Sequence, residues 1–154
     1  MLSWVLDFGQ HKVFAATAVP SWLQRWVCFR KVQIATWELV AAIVGVWHLL
    51  GIMASKFSDF EIHLFVDNDV ALATLLRGAS RQKDWNELVA GLWFQTASQG
   101  VQLLGFRVPS DQNLADAPTR PLKKQRELQL MKDEGFVEVH WHWPEDAPWV
   151  QPDV

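Results

Sequence analysis

Three acidic side chains, Glu38, Asp67 and Asp116, lie where the sequence pattern changes from one kind of structure to another. Carboxylates that converge on one edge of a sheet repel one another unless divalent cations lie between them. Hard oxygen ligands of this kind suit Mg²⁺ or Mn²⁺. Two such ions a few ångströms apart can activate a water and stabilise the leaving oxygen in phosphodiester cleavage. The three acids together therefore predict a metal-dependent hydrolytic site.

Each acid also has an ordinary structural interpretation. Asp67 follows a strand and precedes a helix, where Asp is a frequent N-cap. Glu38 lies in the predicted first turn of a helix, where the macrodipole favours an acid, and Asp116 lies in a polar loop where turn and cap residues are common. The neighbours of Glu38 are apolar, however, and a carboxylate at the edge of a buried helix face needs a partner.

The first elements expected to position these acids are a hairpin and a long helix. Residues 2–8 and 13–19 are apolar, β-prone runs on either side of a polar connection that contains Gly, which predicts a hairpin. Residues 35–50 carry an apolar stripe of helical spacing, with Thr36 as the expected N-cap and Gly51 as the expected end.

A second group of elements follows the long helix. A run of strand-forming residues, 62–67, ends on Asp67, and a short helix over residues 71–76 ends at Gly78. The remaining predicted elements are a helix over 84–99, a strand over 101–108, a polar loop over 109–120 and a basic helical segment over 122–134. The pattern of residues 22–30 fits either a helical turn or an irregular segment.

Composition narrows the class of protein. The 154 residues suit one domain, and the net charge of −3 argues against binding of nucleic acid through bulk positive charge. A single cysteine, Cys28, excludes an internal disulfide and fits a reducing intracellular compartment. The most apolar run, residues 40–51, is short for a membrane span, and the N-terminus lacks the pattern of a secretory signal.

The three acids belong to three motifs, which are Ile34-Ala-Thr-Trp-Glu38, Phe65-Val-Asp67-Asn68-Asp-Val-Ala71, and Val108-Pro-Ser110-Asp-Gln-Asn113-Leu-Ala-Asp116-Ala-Pro-Thr-Arg120. These motifs resemble those of the ribonuclease H-like domains that accompany reverse transcriptases in retroelements. The last motif is the most specific, and the order and separation of all three are similar to those of the family. The resemblance covers roughly residues 13–126. It implies an α/β fold of the ribonuclease H-like type, a mixed sheet with helices on both faces, over residues 1–138.

The same resemblance implies a site, a cofactor and a substrate. Glu38, Asp67 and Asp116 would be both catalytic and metal-binding, with Mg²⁺ or Mn²⁺ as the cofactor and the RNA strand of an RNA–DNA hybrid as the substrate. A reverse transcriptase domain would be a partner, and no membrane is implied. The residues expected to contact nucleic acid are Asn68, Arg77, Arg81, Lys83, Ser110, Asn113 and Arg120. The basic residues among them, with Lys123, Lys124 and Arg126, also fit an ordinary solvated surface.

One part of the family pattern is missing. The family carries a fourth carboxylate, an Asp on a central first strand, and the hairpin at residues 2–19 resembles the family's second and third strands. The domain is therefore truncated at its N-terminus relative to the family, and Asp7, beside the hairpin turn, is the sole acid before Glu38 that could substitute. Loss of the first strand would leave a gap with unpaired backbone groups on both flanking strands. Either those strands close up or another chain fills the gap.

Three hypotheses remain at this stage. The leading one is a retroelement-derived nuclease domain whose activity requires the missing carboxylate. The second is a degenerate domain of the same fold that binds nucleic acid or a protein without cutting, and the third is an unrelated α/β metal-dependent hydrolase. Residues 139–154 form a Trp- and Pro-rich tail, whose His140-Trp-His142 is a weak metal motif that fits packing of the Trp side chains on the domain better.

Overall fold

The computed structural model describes residues 1–8, 10–31, 33–53 and 60–143. The chain is a mixed α/β protein. Its strands are β1 (Leu2–Phe8), β2 (His11–Thr17), β3 (Glu61–Val66), β4 (Gln102–Arg107) and β5 (Val137–Glu138). Its helices are α1 (Ser21–Trp26), α2 (Ile34–Met53), α3 (Asp69–Arg77), α4 (Lys83–Ser98), α5 (Asp116–Thr119) and α6 (Gln125–Asp133). The segment left open by the sequence pattern thus begins with a short helix.

The predicted hairpin is confirmed, and both of its faces are covered. β1 and β2 are antiparallel, and β5 adds to β2 as a parallel strand that the sequence pattern did not reveal. Trp4 and its neighbour Ala15 belong to the main core, which includes α2. Val5 and its neighbour Phe14 point the other way, into a second cluster with Met131 of α6. This small mixed sheet therefore has helices on both sides.

Helix α2 is the central element of the main core. It packs against β1, β3, α3 and α4. The expected boundaries were wrong at both ends, because Thr36 lies inside the helix and Gly51 does not end it. Thr36 is fully buried, and its hydroxyl accepts a hydrogen bond from Trp85 Nε1 at 3.1 Å. The Thr36 hydroxyl is therefore bonded to Trp85 of α4 and does not cap α2.

The full length of α2 also bears on the membrane question. At 20 residues it is longer than the apolar run recognised in the sequence, and by length and composition alone it could cross a bilayer. Half of its most apolar stretch is buried inside the fold, and the core helix of a soluble protein passes the same test. Its apolar length is therefore weak support for membrane insertion.

Strands β3 and β4 form the expected parallel pair. Ile62 lies beside Leu103 and Phe65 beside Phe106. α3 packs on both strands, and α4 packs on β4. Gly105 of β4 lies so close to the leucines of α3 that an added Cβ would come within 2.7 Å of a Leu76 methyl carbon. A glycine at this position lets the helix approach the strand.

The five strands do not form one continuous sheet. In the described ranges, β1 is hydrogen-bonded to β2 and β3 to β4, and the two sheets have the orders β1-β2-β5 and β3-β4. The strands that would flank the family's first strand have therefore not closed up. The two sheets are held in one core through α2, since Leu2, Trp4, Ile62 and Val66 all belong to it.

The close approach of α2 to β1 gives a stability prediction. A Cβ at Gly45 would lie 3.1 Å from Trp4 Cβ, whereas a Cβ at Gly51 of the same helix would meet nothing within 4 Å. We expect Gly45→Val to lower the free energy of unfolding by about 1–3 kcal/mol through overpacking. The matched control Gly51→Ala should raise it by about 0.5–1 kcal/mol, because Gly is a poor helix former. Urea titration of the three chains measures both, and equal stability of Gly45→Val and the natural chain would contradict this packing.

Candidate functional site

The three predicted acids lie on three different elements. Glu38 is in the second turn of α2, so its expected place in the first turn was wrong. Asp67 directly follows β3 and is half-buried. Asp116 begins the short helix α5 and is also half-buried. Each side chain is thus fixed by the end or the first part of an element packed into the fold.

Asp67 is not the N-cap of α3. The cap is Asn68, whose Oδ1 accepts hydrogen bonds from the backbone N–H groups of Val70 and Ala71 at 3.0 and 3.1 Å. The helix ends at Gly78, as predicted, with a φ of 65° that suits glycine. The cap interpretation of Asp67 was therefore wrong, and the Asp67 carboxylate is not used to cap the first backbone N–H groups of α3.

The loop before Asp116 is held by β1 and by its own side chains. Ser3 is buried in β1, and its hydroxyl donates to the carbonyl oxygen of Ala115. Asn113 Oδ1 accepts from the Ala115 N–H at 3.1 Å, and the Asn113 carbonyl accepts from the Asp116 N–H at 3.1 Å. These bonds fix the position of Asp116 relative to the hairpin. They also give Asn113, predicted as a nucleic-acid contact, a structural role.

The electrostatics of Glu38 show that the three acids share one neighbourhood. Burial raises the pKa of Glu38 to about 7, and repulsion from Asp67 and then Asp116 adds to the effect. The Asn68 amide, which hydrogen-bonds to Glu38, and the positive charge of Arg107 act in the opposite direction. In the described part of the chain, Glu38 Oε2 is buried and has no hydrogen-bond partner. A buried carboxylate oxygen in this state favours a proton or a cation.

Two basic side chains already neutralise Asp116. Lys124 Nζ lies 3.1 Å from Asp116 Oδ2, and Arg120 Nε lies 3.5 Å from Oδ1. Lys124 is the better buried of the two, with 22 % of its side chain exposed against 60 % for Arg120. An ion pair that is partly shielded from water is screened less than an exposed one. Lys124 therefore occupies the electrostatic role that a metal ion would otherwise take at Asp116.

The three acids fit a metal ion by their chemistry but not by their spacing. Three carboxylates, one of which has an unpartnered buried oxygen, provide the kind of donors that Mg²⁺ or Mn²⁺ prefers. Across residues 1–8, 10–31, 33–53 and 60–143, however, no three His, Cys, Asp or Glu side chains are grouped closely enough to hold one ion. The donors fit by chemistry, and a bound ion would have to draw Asp116 away from Lys124.

Asp7 lies apart from this neighbourhood. It is exposed at the end of β1 and faces Lys12 across the hairpin, with Lys12 Nζ 3.8 Å from Asp7 Oδ2. Among the described residues, the acids whose charges raise the pKa of Glu38 are Asp67 and Asp116. The geometry gives no support to Asp7 as the fourth carboxylate.

The predicted nucleic-acid contacts fall into two groups. Arg77, Arg81 and Lys83 are exposed where α3 ends and α4 begins, with Lys83 Nζ 3.9 Å from Glu87 on the same helix. Ser110 is exposed in the loop after β4. The others, Asn68, Asn113 and Arg120, take part in the cap, the loop and the ion pair described above.

Sequence reasoning missed Arg107, which ends β4. Its Nε donates to Asp69 Oδ1 at 2.8 Å, and its charge lowers the pKa of Glu38. A signal was present, since a charged residue at the carboxyl end of the second parallel strand lies at the edge where a ligand is expected. Ser3 was also missed, and here no signal was present, because a serine in an apolar strand does not indicate that its hydroxyl bonds to the distant Ala115.

The most deeply buried carboxylate among the described residues lies outside the site. Asp84, 3 % exposed, accepts hydrogen bonds from Arg30 Nη1 at 2.8 Å and from the Cys28 N–H at 3.0 Å. Burial alone would raise the pKa of Asp84, but the hydrogen bonds and the charge of Arg30 outweigh it and the pKa is lowered. This pair ties the segment between α1 and α2 to the start of α4, so its role is structural.

Comparisons of the chain with protein families, with curated proteins and with solved structures find no match. The family resemblance therefore rests on the three motifs.

The raised pKa of Glu38 predicts a pH-dependent stability. A carboxyl whose folded pKa is raised stabilises the fold when protonated, and this contribution is lost as the pH rises from about 4.5 through about 7. We expect Glu38→Gln to be more stable than the natural chain at pH 8, on the order of 2 kcal/mol after allowance for partial exposure, with the difference shrinking toward pH 4.5. Thermal unfolding across this range, with the exposed Glu127→Gln as control, tests it. A pH-independent difference would show that the burial of Glu38 is not the cause.

The Lys124 ion pair predicts competition with a metal. Lys124→Gln removes the cation next to Asp116, whereas Lys123→Gln removes a neighbouring exposed charge. We expect Lys124→Gln to bind Mn²⁺ about fivefold more tightly, as loss of an ion pair worth about 1 kcal/mol implies. Lys123→Gln should change the affinity less. Titration of Mn²⁺ followed by electron paramagnetic resonance measures the free ion, and equal affinities in the two variants would contradict the competition.

Proposed function

We propose that this chain is a ribonuclease H-like domain of retroelement origin, which binds nucleic acid at a carboxylate site and cuts the RNA of an RNA–DNA hybrid when a fourth carboxylate is supplied. One observation carries the proposal: the half-buried Glu38, whose Oε2 is buried and has no hydrogen-bond partner among the described residues, lies within electrostatic reach of Asp67 at the end of β3 and of Asp116 at the start of α5. These are the acids of the three motifs, converging from three separate elements.

The order of the elements supports the finer assignment. An antiparallel hairpin is followed, after the short helix α1, by a long core helix, a parallel strand that leads into Asp67, two helices and a second parallel strand. Asp116 then follows in the loop-to-helix region after β4. The resemblance implies this order for a ribonuclease H-like domain that lacks its first strand.

Glu38, Asp67 and Asp116 are the residues that would hold Mg²⁺ or Mn²⁺. The ions would supply an activated water and stabilisation of the leaving oxygen. With a pKa of about 7, the Glu38 carboxyl shares its population between the protonated and charged forms near neutral pH, and only the charged form acts as a ligand, so metal binding would be linked to pH. Asn68, fixed as the cap of α3, acts to lower the pKa of Glu38 and so favours the charged form that a metal ion requires.

The exposed cations Arg77, Arg81 and Lys83 are suited to the phosphates of a nucleic-acid duplex. Their position between α3 and α4 places them on the chain segment that follows Asp67. The net charge of −3 means that such binding depends on local patches, and it should weaken steeply with salt.

A second candidate, a domain that binds nucleic acid or a protein without cutting, is favoured by the state of Asp116. Its two oxygens are engaged by Lys124 and Arg120, and the described residues contain no compact three-ligand group. Three carboxylates without a fourth would hold metal weakly. Under this alternative the fold and the basic surface are kept, and hydrolysis is lost.

A cleavage assay separates the two candidates. The substrate is a labelled RNA–DNA hybrid with Mn²⁺, and the proteins are this chain, a chain extended upstream by a strand that carries an Asp, and the extended chain with Asp67→Asn. We expect slow or no cutting by the first, cutting by the second, and a loss of at least about a hundredfold in the third, since the amide removes an anionic ligand.

Two other outcomes have defined meanings. Strong cleavage by the 154-residue chain that disappears with Asp7→Asn would overturn this account and make Asp7 the fourth ligand. Cleavage by neither chain, with retained salt-dependent binding of the hybrid, would establish the binding domain instead. Retention of that binding in an Arg77→Gln and Arg81→Gln double variant would contradict the assigned surface.

A further inference from the structure

The segment of residues 139–143 is held on the domain at both of its ends. Directly after β5, the Val139 N–H donates a hydrogen bond to the Phe14 carbonyl of β2 at 2.9 Å. Trp143 Nε1 donates to the Ala18 carbonyl at 3.2 Å. Between these two bonds the segment forms one wall of an open cleft of about 340 Å³, and the last part of α2 forms the other wall.

Two imidazoles from different elements line this cleft. His48 belongs to α2 and His142 to the C-terminal segment, and the remaining side chains on the walls are two Trp and one Ile. Gly51 of α2 leaves room between the walls, since a Cβ at this position would meet nothing within 4 Å. His140 is not among the described residues that line the cleft. The structure thus divides the His140-Trp-His142 motif and places its second histidine opposite a helix.

The His48 ring is held in place, yet its nitrogens lack a protein partner. The ring packs on that of the buried Trp4, with 4.6 Å between the ring centroids. Burial lowers the pKa of His48, so the neutral imidazole is the main form near neutral pH. Within the ranges that the structure describes, no hydrogen bond reaches the ring nitrogens of His48 or His142. A half-buried polar atom in this state requires a water or an ion as its partner.

Two imidazoles on facing walls select a class of ion. A neutral imidazole binds borderline divalent ions such as Zn²⁺, whereas Mg²⁺ and Mn²⁺ prefer carboxylates. The exposed His142 side chain can turn about its χ angles to bring a nitrogen within about 2.1 Å of an ion held by His48. No group of three His, Cys, Asp or Glu side chains occurs in the described part of the chain, so water would complete the tetrahedral coordination. Its affinity would be lower than that of a site with four protein ligands.

We propose that His48 and His142 form a zinc site, in which one Zn²⁺ ion joins the C-terminal segment to α2. The site is separate from the three acids, because His48 follows Glu38 by ten residues of one helix, or about 15 Å along its axis. An ion that binds only when the two walls are in place stabilises the folded chain. The proposal does not depend on cleavage of nucleic acid.

Titration of Zn²⁺ into the chain with ¹⁵N-labelled histidine tests the ligands directly. Excess Mg²⁺ is present throughout, so that carboxylates are occupied by an ion that they prefer. We expect the ring-nitrogen signals of two of the five histidines, His48 and His142, to shift together with one dissociation constant. The other three signals serve as internal controls and should not move. Joint movement of His140 and His142 without His48 would overturn the proposal.

Single variants show whether both imidazoles are needed. His48→Phe keeps a flat ring against Trp4 and removes both nitrogens, and His142→Gln changes an exposed side chain. Each should weaken Zn²⁺ binding at least about tenfold, because one of two protein ligands is lost. His140→Gln, in the same motif and also exposed, is the matched control and should leave the affinity within about twofold. Equal loss in all three variants, or in none, would contradict the site.

Unfolding with and without Zn²⁺ separates this site from the carboxylates. At a Zn²⁺ concentration of about one hundred times the dissociation constant, the folding equilibrium constant of the natural chain should rise about a hundredfold. The rise should be absent in His142→Gln and kept in Asp67→Asn, so its outcome is independent of that of the cleavage assay. Loss of the rise in Asp67→Asn together with its retention in His142→Gln would assign the ion to the acids and overturn the proposal.

Discussion

Burial of α2 is the constraint on which the remaining structure depends. Its residues Leu39, Val40, Ile43 and Leu50 are almost completely inaccessible, and at roughly 1.5–3 kcal/mol for each fully buried large side chain such a helix cannot be left in water. β1, β3, α3 and α4 are all packed on it. Gly45 permits the close approach of β1, since a larger residue would press on Trp4. The helix thus determines where both sheets lie, and thereby where the acidic residues meet.

Glu38 is the one acidic residue of this helix, and its surroundings explain the character of the site. Burial and two nearby acids make its charged form unfavourable, so that its pKa rises to about 7. Two cationic side chains of the protein offset part of this repulsion, Arg107 near Glu38 and Lys124 at Asp116. A site that is balanced by lysine and arginine is stable without a metal, and a metal must compete with them. The same balance connects the nuclease proposal with its non-cutting alternative.

Different interactions hold the strands together within each sheet and hold the two sheets to each other. Within each sheet, backbone hydrogen bonds define the register, as in the pairing of Val5 with Phe14 and of Phe65 with Phe106. Between the sheets, side-chain packing on α2 fixes their relative position. Packing is less directional than a hydrogen-bond ladder.

Local patterns in the sequence were sufficient for the hairpin, for the existence of α2, for the parallel strands and for Gly78 as the end of α3, because apolar period and glycine conformation act over a few residues. They also identified Glu38, Asp67 and Asp116 as candidates, with a helix cap as the ordinary alternative for Asp67. Only the tertiary structure decided that Asn68 is the cap, that Thr36 bonds to Trp85, and that Asp84 pairs with Arg30. It also placed Lys124 against Asp116 and added β5 to β2. Apart from the choice of cap, these contacts join residues that are distant in sequence or depend on the exact start of a helix. The energy of each contact also depends on how deeply it is buried. Burial is a property of the packed chain and is not encoded in any single segment.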